Sequence, residues 1–180
     1  MGILAAIFLS ILVLRMAPLP ARADAYVYSA GPRAANFGNR SAARTICNAA
    51  KPGAIPACSG TVVPLALYSG ETLAGITAGL TGAARAQNGS VIASSFGSPY
   101  LAADLSGYFP RHWSGMTAAG TAMQRGTCLD WTVTSSKAKA GAGWKRPSYF
   151  AATCSRTLDL LCGCGIAATK SPTTALRLLR

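Results

Sequence analysis

The sequence predicts an α+β domain, stapled by disulfides and preceded by an export leader. Three observations predict it. One early segment has helical apolar spacing and a cap, and many short apolar runs of strand length follow it. Long stretches rich in glycine, alanine and serine separate those runs and read as loops. Six cysteines, Cys47, Cys58, Cys128, Cys154, Cys162 and Cys164, all lie behind an apolar N-terminal run.

That run comes first. Residues 3–14 are apolar except for Ser10. This is the length of a secretory apolar core and too short for a bilayer interior of roughly 30 Å. Arg15 and Pro18 close it, and Ala21-Arg22-Ala23-Asp24-Ala25 supplies small-x-small cleavage patterns ending at Ala23 and at Ala25. Cleavage after Ala25 is favoured and cleavage after Ala23 stays open. The division is then a signal peptide over 1–25, one domain over 26–166 and a loose basic tail over 167–180. No second long apolar run follows, so the mature chain has no transmembrane segment. Its positive mean hydropathy owes much to the leader.

The elements follow in order. Asn39 or Ser41 can cap a helix through about Ala50, with Ala42, Ala43, Ile46, Ala49 and Ala50 on one face. Lys51-Pro52-Gly53 stops it. Residues 61–68 predict a strand through Val62, Val63, Leu65 and Leu67, closed by a Ser69-Gly70 turn. Residues 70–107 predict loop, with short strands around Val91-Ile92 and Tyr100-Leu101. Residues 108–113 and 129–133 predict strands, and 137–143 a basic, glycine-containing loop. Residues 158–162 predict a buried final strand.

Charge bounds the partner. The chain carries 17 lysines and arginines against 5 acidic residues, a formal net charge of +12. Cleavage removes only Arg15, Arg22 and Asp24 from that count. Such an excess favours acidic partners: sulfated or carboxylated glycans, anionic surfaces or nucleic acid.

The cysteine count behind a leader predicts disulfides. The competing arrangement is a zinc cluster of Cys47, Cys58, Cys162 and Cys164. The doublet Cys162-x-Cys164 lacks the usual two to four intervening residues, and an oxidising compartment consumes free thiols.

A set of motifs resembles a known family. They are Trp113-Ser114-Gly115, then Gly120-Thr121-Ala122, then Cys128-Leu129-Asp130-Trp131-Thr132. Trp144 follows, then Cys154-Ser155 and Leu160-Leu161-Cys162-Gly163-Cys164. Asn36-Phe37-Gly38-Asn39-Arg40 precedes the helix. Together they resemble secreted bacterial and algal domains related to endostatin and, more distantly, to C-type lectins. The resemblance implies a C-type-lectin-like fold: an early helix, short antiparallel sheets and long loops. It also ranks the disulfides as Cys47-Cys162, Cys58-Cys164 and Cys128-Cys154, with Cys47-Cys164 as the main alternative.

The chemistry does not carry over with the fold. Calcium-dependent lectins need Glu-Pro-Asn or Gln-Pro-Asp with Trp-Asn-Asp, and none occurs here. Calcium takes about six to eight oxygens, and Glu71, Asp104, Asp130 and Asp159 are the acids beyond the leader. Asp130, inside the Cys-Trp motif, reads as structural. Endostatin-type zinc binding uses histidines, and the chain has only His112. No cofactor and no metal is expected. His112 reads as a surface or half-buried residue beside Trp113 rather than a general base, because no nucleophile arrangement accompanies it. Asp104 and Asp130 form at most a weak acid pair for glycoside hydrolysis.

The expected function is non-catalytic: an extracellular binding or adhesion module for glycans or polyanionic matrix, secreted or at the cell surface. The alternatives are a secreted carbohydrate-active hydrolase and a structural wall or coat component. Trp113 and Trp131 read as core. The binding candidates are Lys137, Lys139, Trp144, Lys145 and Arg146, where cations gather around a glycine turn and an aromatic face can stack on a sugar. Arg111 and Arg125 are neighbours that could join them. The glycan can be polyanionic or neutral. A secreted chain without a nucleic-acid motif argues against nucleic acid. Asn39 and Asn88 match the glycosylation sequon, Asn88 in the better loop.

Overall fold

In the computed structural model, residues 24–96, 105, 107–109, 111–117, 119–135, 139–143 and 150–165 are described. The tail after Gly165, the stretch around Tyr100-Leu101 and the leader before Asp24 lie outside them.

Apolar alternation builds the sheet. In β1 (Ala25–Ala34), Val27 points into one core and Tyr28 into the other. The final strand β8 (Thr157–Gly165) does the same, with Leu160, Cys162 and Cys164 on one face and Leu161 on the opposite one. β1 and β8 pair antiparallel from Ala25↔Gly165 to Ala34↔Thr157, with a register shift between Ser29 and Pro32. The other edge of β8 is shared. β2 (Val62–Pro64) pairs antiparallel with its end, and β5 (His112–Trp113) pairs parallel with its beginning. β3 (Ala84–Ala86) lies parallel to β1 and forms a hairpin with β4 (Val91–Ala93). β6 (Lys139–Gly143) and β7 (Phe150–Thr153) continue outward from β5. The order is β4-β3-β1-β8-β5-β6-β7, so the architecture is α+β with a mixed sheet.

Helix α1 (Arg40–Ala49) starts where Asn39 accepts a bond from the Ala42 N–H at 3.0 Å. Its buried residues are Ala43 and Cys47, with Ile46 and Ala50 packed beside them. Ala42 and Ala49, expected on the apolar face, are exposed. The disulfide from Cys47 to Cys162 turns the helix so that the 43/46/47/50 stripe meets the sheet. A second, short helix α2 (Leu73–Ile76) is capped by Thr72. Among the described residues no helix is long and apolar enough to cross a membrane.

Several segments differ from expectation. Within 61–68, Thr61 is exposed, and the side chains from Val62 to Tyr68 alternate between the two cores except at Pro64. Only 62–64 pair as a strand; Leu65 N then donates to Leu161 O and Leu67 N to Ser114 O. Leu65 thus still bonds to β8, and the partner changes only at Leu67. Residues 139–143 form strand β6 rather than a loop, because backbone pairing on both sides overrides the glycine content. The strand expected over 108–113 shrinks to His112–Trp113.

The strand expected over 129–133 is a left-handed helical turn. Cys128, Leu129, Asp130 and Trp131 all have φ between 50° and 63°. Left-handed backbone costs a non-glycine residue roughly 1–2 kcal/mol, so the surroundings must impose it. They do so at several points. Cys128 is bonded to Cys154, Trp131 Nε1 donates to Leu67 O at 2.9 Å, and Gly38 N donates to Trp131 O at 2.9 Å. The Trp131 ring stacks on Phe37 at 4.9 Å and meets the edge of Trp113 at 5.7 Å. Gly115 lets this happen: a Cβ there would lie 2.8 Å from both Leu67 O and the Trp131 ring.

Candidate functional site

Two polar constellations stand on this frame. The first is half-buried. Arg40, at the start of α1, pairs with Glu71, donates to Pro64 O at 2.7 Å and lies 4.4 Å over the Tyr68 ring. Glu71 also accepts from Tyr68 N, and the Tyr68 hydroxyl donates to Gly38 O. Burial lowers the Arg40 guanidinium to about 10 and raises the Tyr68 phenol to about 12. Asp130 accepts from the Ser69 N–H and hydroxyl, each at 2.8 Å, and from the Thr127 hydroxyl. Burial opposes its ionisation, but these bonds outweigh it and lower its pKa. Asp130 therefore holds the left-handed turn. Asp104, its expected acidic partner, lies outside the described residues.

The second constellation opens to solvent. A cleft of about 200 Å³ is lined by Arg111, Arg156, Thr157 and Leu158. The β5–β8 pairing assembles it. His112 stands in register with Asp159, and Asp159 N donates to Arg111 O at 3.0 Å, which sets Arg111 beside the start of β8. Arg156 N donates to Thr153 O in the turn from β7, so Arg156 arrives from the other side. Both arginines and Thr157 are exposed. Glu71 is paired with Arg40, Asp24 with Arg85, and Asp130 with hydroxyls and an amide. Asp159, partly buried two residues beyond Thr157, is the acid nearest in sequence to the cleft. Two guanidinium groups beside one hydroxyl suit a sulfate or carboxylate.

The expected binding residues are not brought onto this cleft by anything described. Lys137, Trp144, Lys145 and Arg146 lie outside the described residues. Lys139 opens β6 opposite Thr153, and its side chain is not described. Arg125 sits exposed in a turn with φ 59°. Sequence reasoning named Arg111 only as a neighbour and missed Arg156, which lies 45 positions further along the chain.

His112 corrects an expectation. It is 2% exposed rather than at the surface, because β5 is an inner strand of the sheet. Its Nδ1 bonds to Phe109 O, and burial lowers the imidazole to about 4. Trp113 and Trp131 are fully buried, as expected of core residues. Cys47 is bonded to Cys162, Cys58 to Cys164 and Cys128 to Cys154, the pairs that the family resemblance ranked first. The four thiols of the alternative zinc cluster are thereby consumed. Among the described residues no three His, Cys, Asp or Glu side chains gather into a metal-holding group. Of the two sequon asparagines, Asn39 is committed to capping α1, while Asn88 sits exposed at the tip of the β3–β4 hairpin.

No protein-family model matches this sequence, and a comparison with curated proteins finds no match.

Proposed function

We propose that this chain is a secreted, non-catalytic binding module of C-type-lectin-like (endostatin-like) build, which grips polyanionic glycans through a basic surface. The observation that carries the reading is the open cleft between Arg111 and Arg156, on a chain with net charge +12. The lectin-like part is supported by the staples. The early-helix cysteine joins the final strand, and the cysteine of the left-handed turn joins Cys154 just before it. Export is supported by three disulfides, which form and persist in oxidising compartments. Within this reading the cleft takes one anionic group. Lys137, Lys139, Lys145 and Arg146, with Trp144, are proposed as further contacts to the glycan, on the strength of their gathering in the sequence.

The test is retention on a heparin column against a plain cation exchanger of equal charge density. Wild type is compared with Arg111→Ser/Arg156→Ser and with a variant changing Lys137, Lys139, Lys145 and Arg146 to Ser. Both variants are expected to lose more retention on heparin than on the exchanger, because a geometric match adds to bulk charge. If both variants elute from heparin at the wild-type salt concentration, the reading is wrong.

A further inference from the structure

We propose that the export leader is cut after Ala23, so that the mature chain begins at Asp24. The inference goes beyond the binding function and rests on the reading of the N-terminal apolar run as a cleaved leader. The sequence offers two sites, after Ala23 and after Ala25, and its reading alone favours Ala25.

The fold separates them. β1 begins at Ala25, which is fully buried. Ala25 stands in register with Ala84 on one side and Gly165 on the other. Its N–H donates to Ala83 O at 3.0 Å. Asp24 is also in use. Its carboxylate holds Arg85 Nε at 2.6 Å, and Arg85 Nη1 in turn donates to Gly89 O at 2.9 Å. Asp24 and Arg85 thus clasp the β3–β4 hairpin against β1.

Cutting after Ala25 would remove both residues. It would strip a buried contact and a backbone bond from the central sheet and take the carboxylate from Arg85. It would also place the new ammonium on Tyr26, directly in register with Arg85, so that two cations would share that part of the sheet. Cutting after Ala23 leaves the strand whole. The new ammonium then lies on Asp24 itself, beyond the end of β1 and next to a carboxylate. The step is hydrolysis of one amide by a signal peptidase. Water adds across the bond from Ala23 to Asp24, leaving a carboxylate on the leader and an amine on the domain.

The test is to express the full chain with its own leader in a secreting host and read the N-terminus of the exported product by intact mass and sequencing. A product beginning at Asp24 is expected, and one beginning at Tyr26 overturns the proposal. An exported or retained chain that keeps residues 1–23 overturns the leader reading, and this proposal with it, without touching the heparin result. The structural reason is checked separately on purified chains that begin at Asp24 and at Tyr26. The shorter chain is expected to melt roughly 5 °C lower. Equal melting temperatures would remove the argument from the fold.

Discussion

The two faces of the central sheet are built from different materials. One face carries all three disulfides, both described tryptophans, and Tyr28, Phe37 and Tyr68. The other carries no cysteine and is filled by Val27, Val63, Leu65, Leu67, Leu73, Leu80, Ile92, Phe96, Leu105, Met116 and Leu161. β8 separates them residue by residue: Cys162 and Cys164 face the aromatic side, while Gly163 between them faces the aliphatic side. A Cβ on Gly163 would lie 2.9 Å from both Leu80 and Phe96. The aliphatic face therefore depends on close fit alone. The aromatic face has covalent bonds beneath its fit, and it is there that the backbone adopts the costly left-handed turn.

Reduction should break this contrast most strongly. Each disulfide is worth roughly 2–4 kcal/mol through the constraint it places on the unfolded chain. All three lie on one face, so reductant should lower the denaturant midpoint more than any single substitution. Mass spectrometry of the denatured, unreduced chain should find no alkylated cysteine beforehand. If reduced and oxidised protein unfold at the same midpoint, the staples do not hold this face.

Next in size is a matched pair of truncations in the oxidised protein. Phe96→Ala opens a cavity on the aliphatic face and should cost about 3–5 kcal/mol. Trp131→Ala removes a larger side chain, yet should cost no more than Phe96→Ala. Cys128–Cys154 still ties the turn, and losing the ring relieves part of what forces its backbone. Chemical denaturation of both variants measures the difference. A clearly larger loss at Trp131 would mean that the aromatic face rests on its rings rather than its bonds.

The smallest of the three effects is the response to acid. His112 lies on the strand face opposite Trp113, and burial lowers its pKa from 6.5 to about 4. A base with a depressed folded pKa binds its proton more readily in the unfolded chain. Its contribution is full above about 6.5 and is lost as pH falls toward about 4, roughly 3 kcal/mol in all. Melting temperature should decline across that window, and His112→Gln should flatten the decline. A variant that falls as steeply as wild type would assign the acid response to other groups.

What the sequence allowed one to read divides along local and distant causes. α1 was legible because Asn39 and the spacing of Ala43, Ile46 and Ala50 act within the segment. β8 was legible from its apolar run, and of the strand expected over 61–68 only the part that forms β2 was. β1 escaped because Gly31 and Pro32 look like breakers, whereas the structure absorbs them at the register shift after Ser29. β6 escaped because Lys139, Gly141 and Gly143 read as loop, and only its neighbours β5 and β7 make it a strand. The segment Leu129-Asp130-Trp131-Thr132-Val133 matched a strand pattern, but the bond from Cys128 to Cys154 and the anchoring of Trp131 hold its start left-handed. The cleft was half visible, in Arg111. Arg156 joins it only through the parallel pairing of β5 with β8, which no local signal announces.

The pairing of β1 with β8 also governs when this domain can exist. Ala25 and Gly165, near opposite ends of the described chain, are direct neighbours in the middle of the sheet. Closing so long a loop is entropically costly, and folds dominated by such contacts form slowly. A chain that emerges N-terminus first, from a ribosome or a translocation pore, has its β1 waiting without its main partner. Three strands that contact β8 directly stay incomplete until residue 165 has appeared. The topology thus acts as a timer, keeping the nascent chain threadable until its final strand arrives and only then permitting the structure that the disulfides lock.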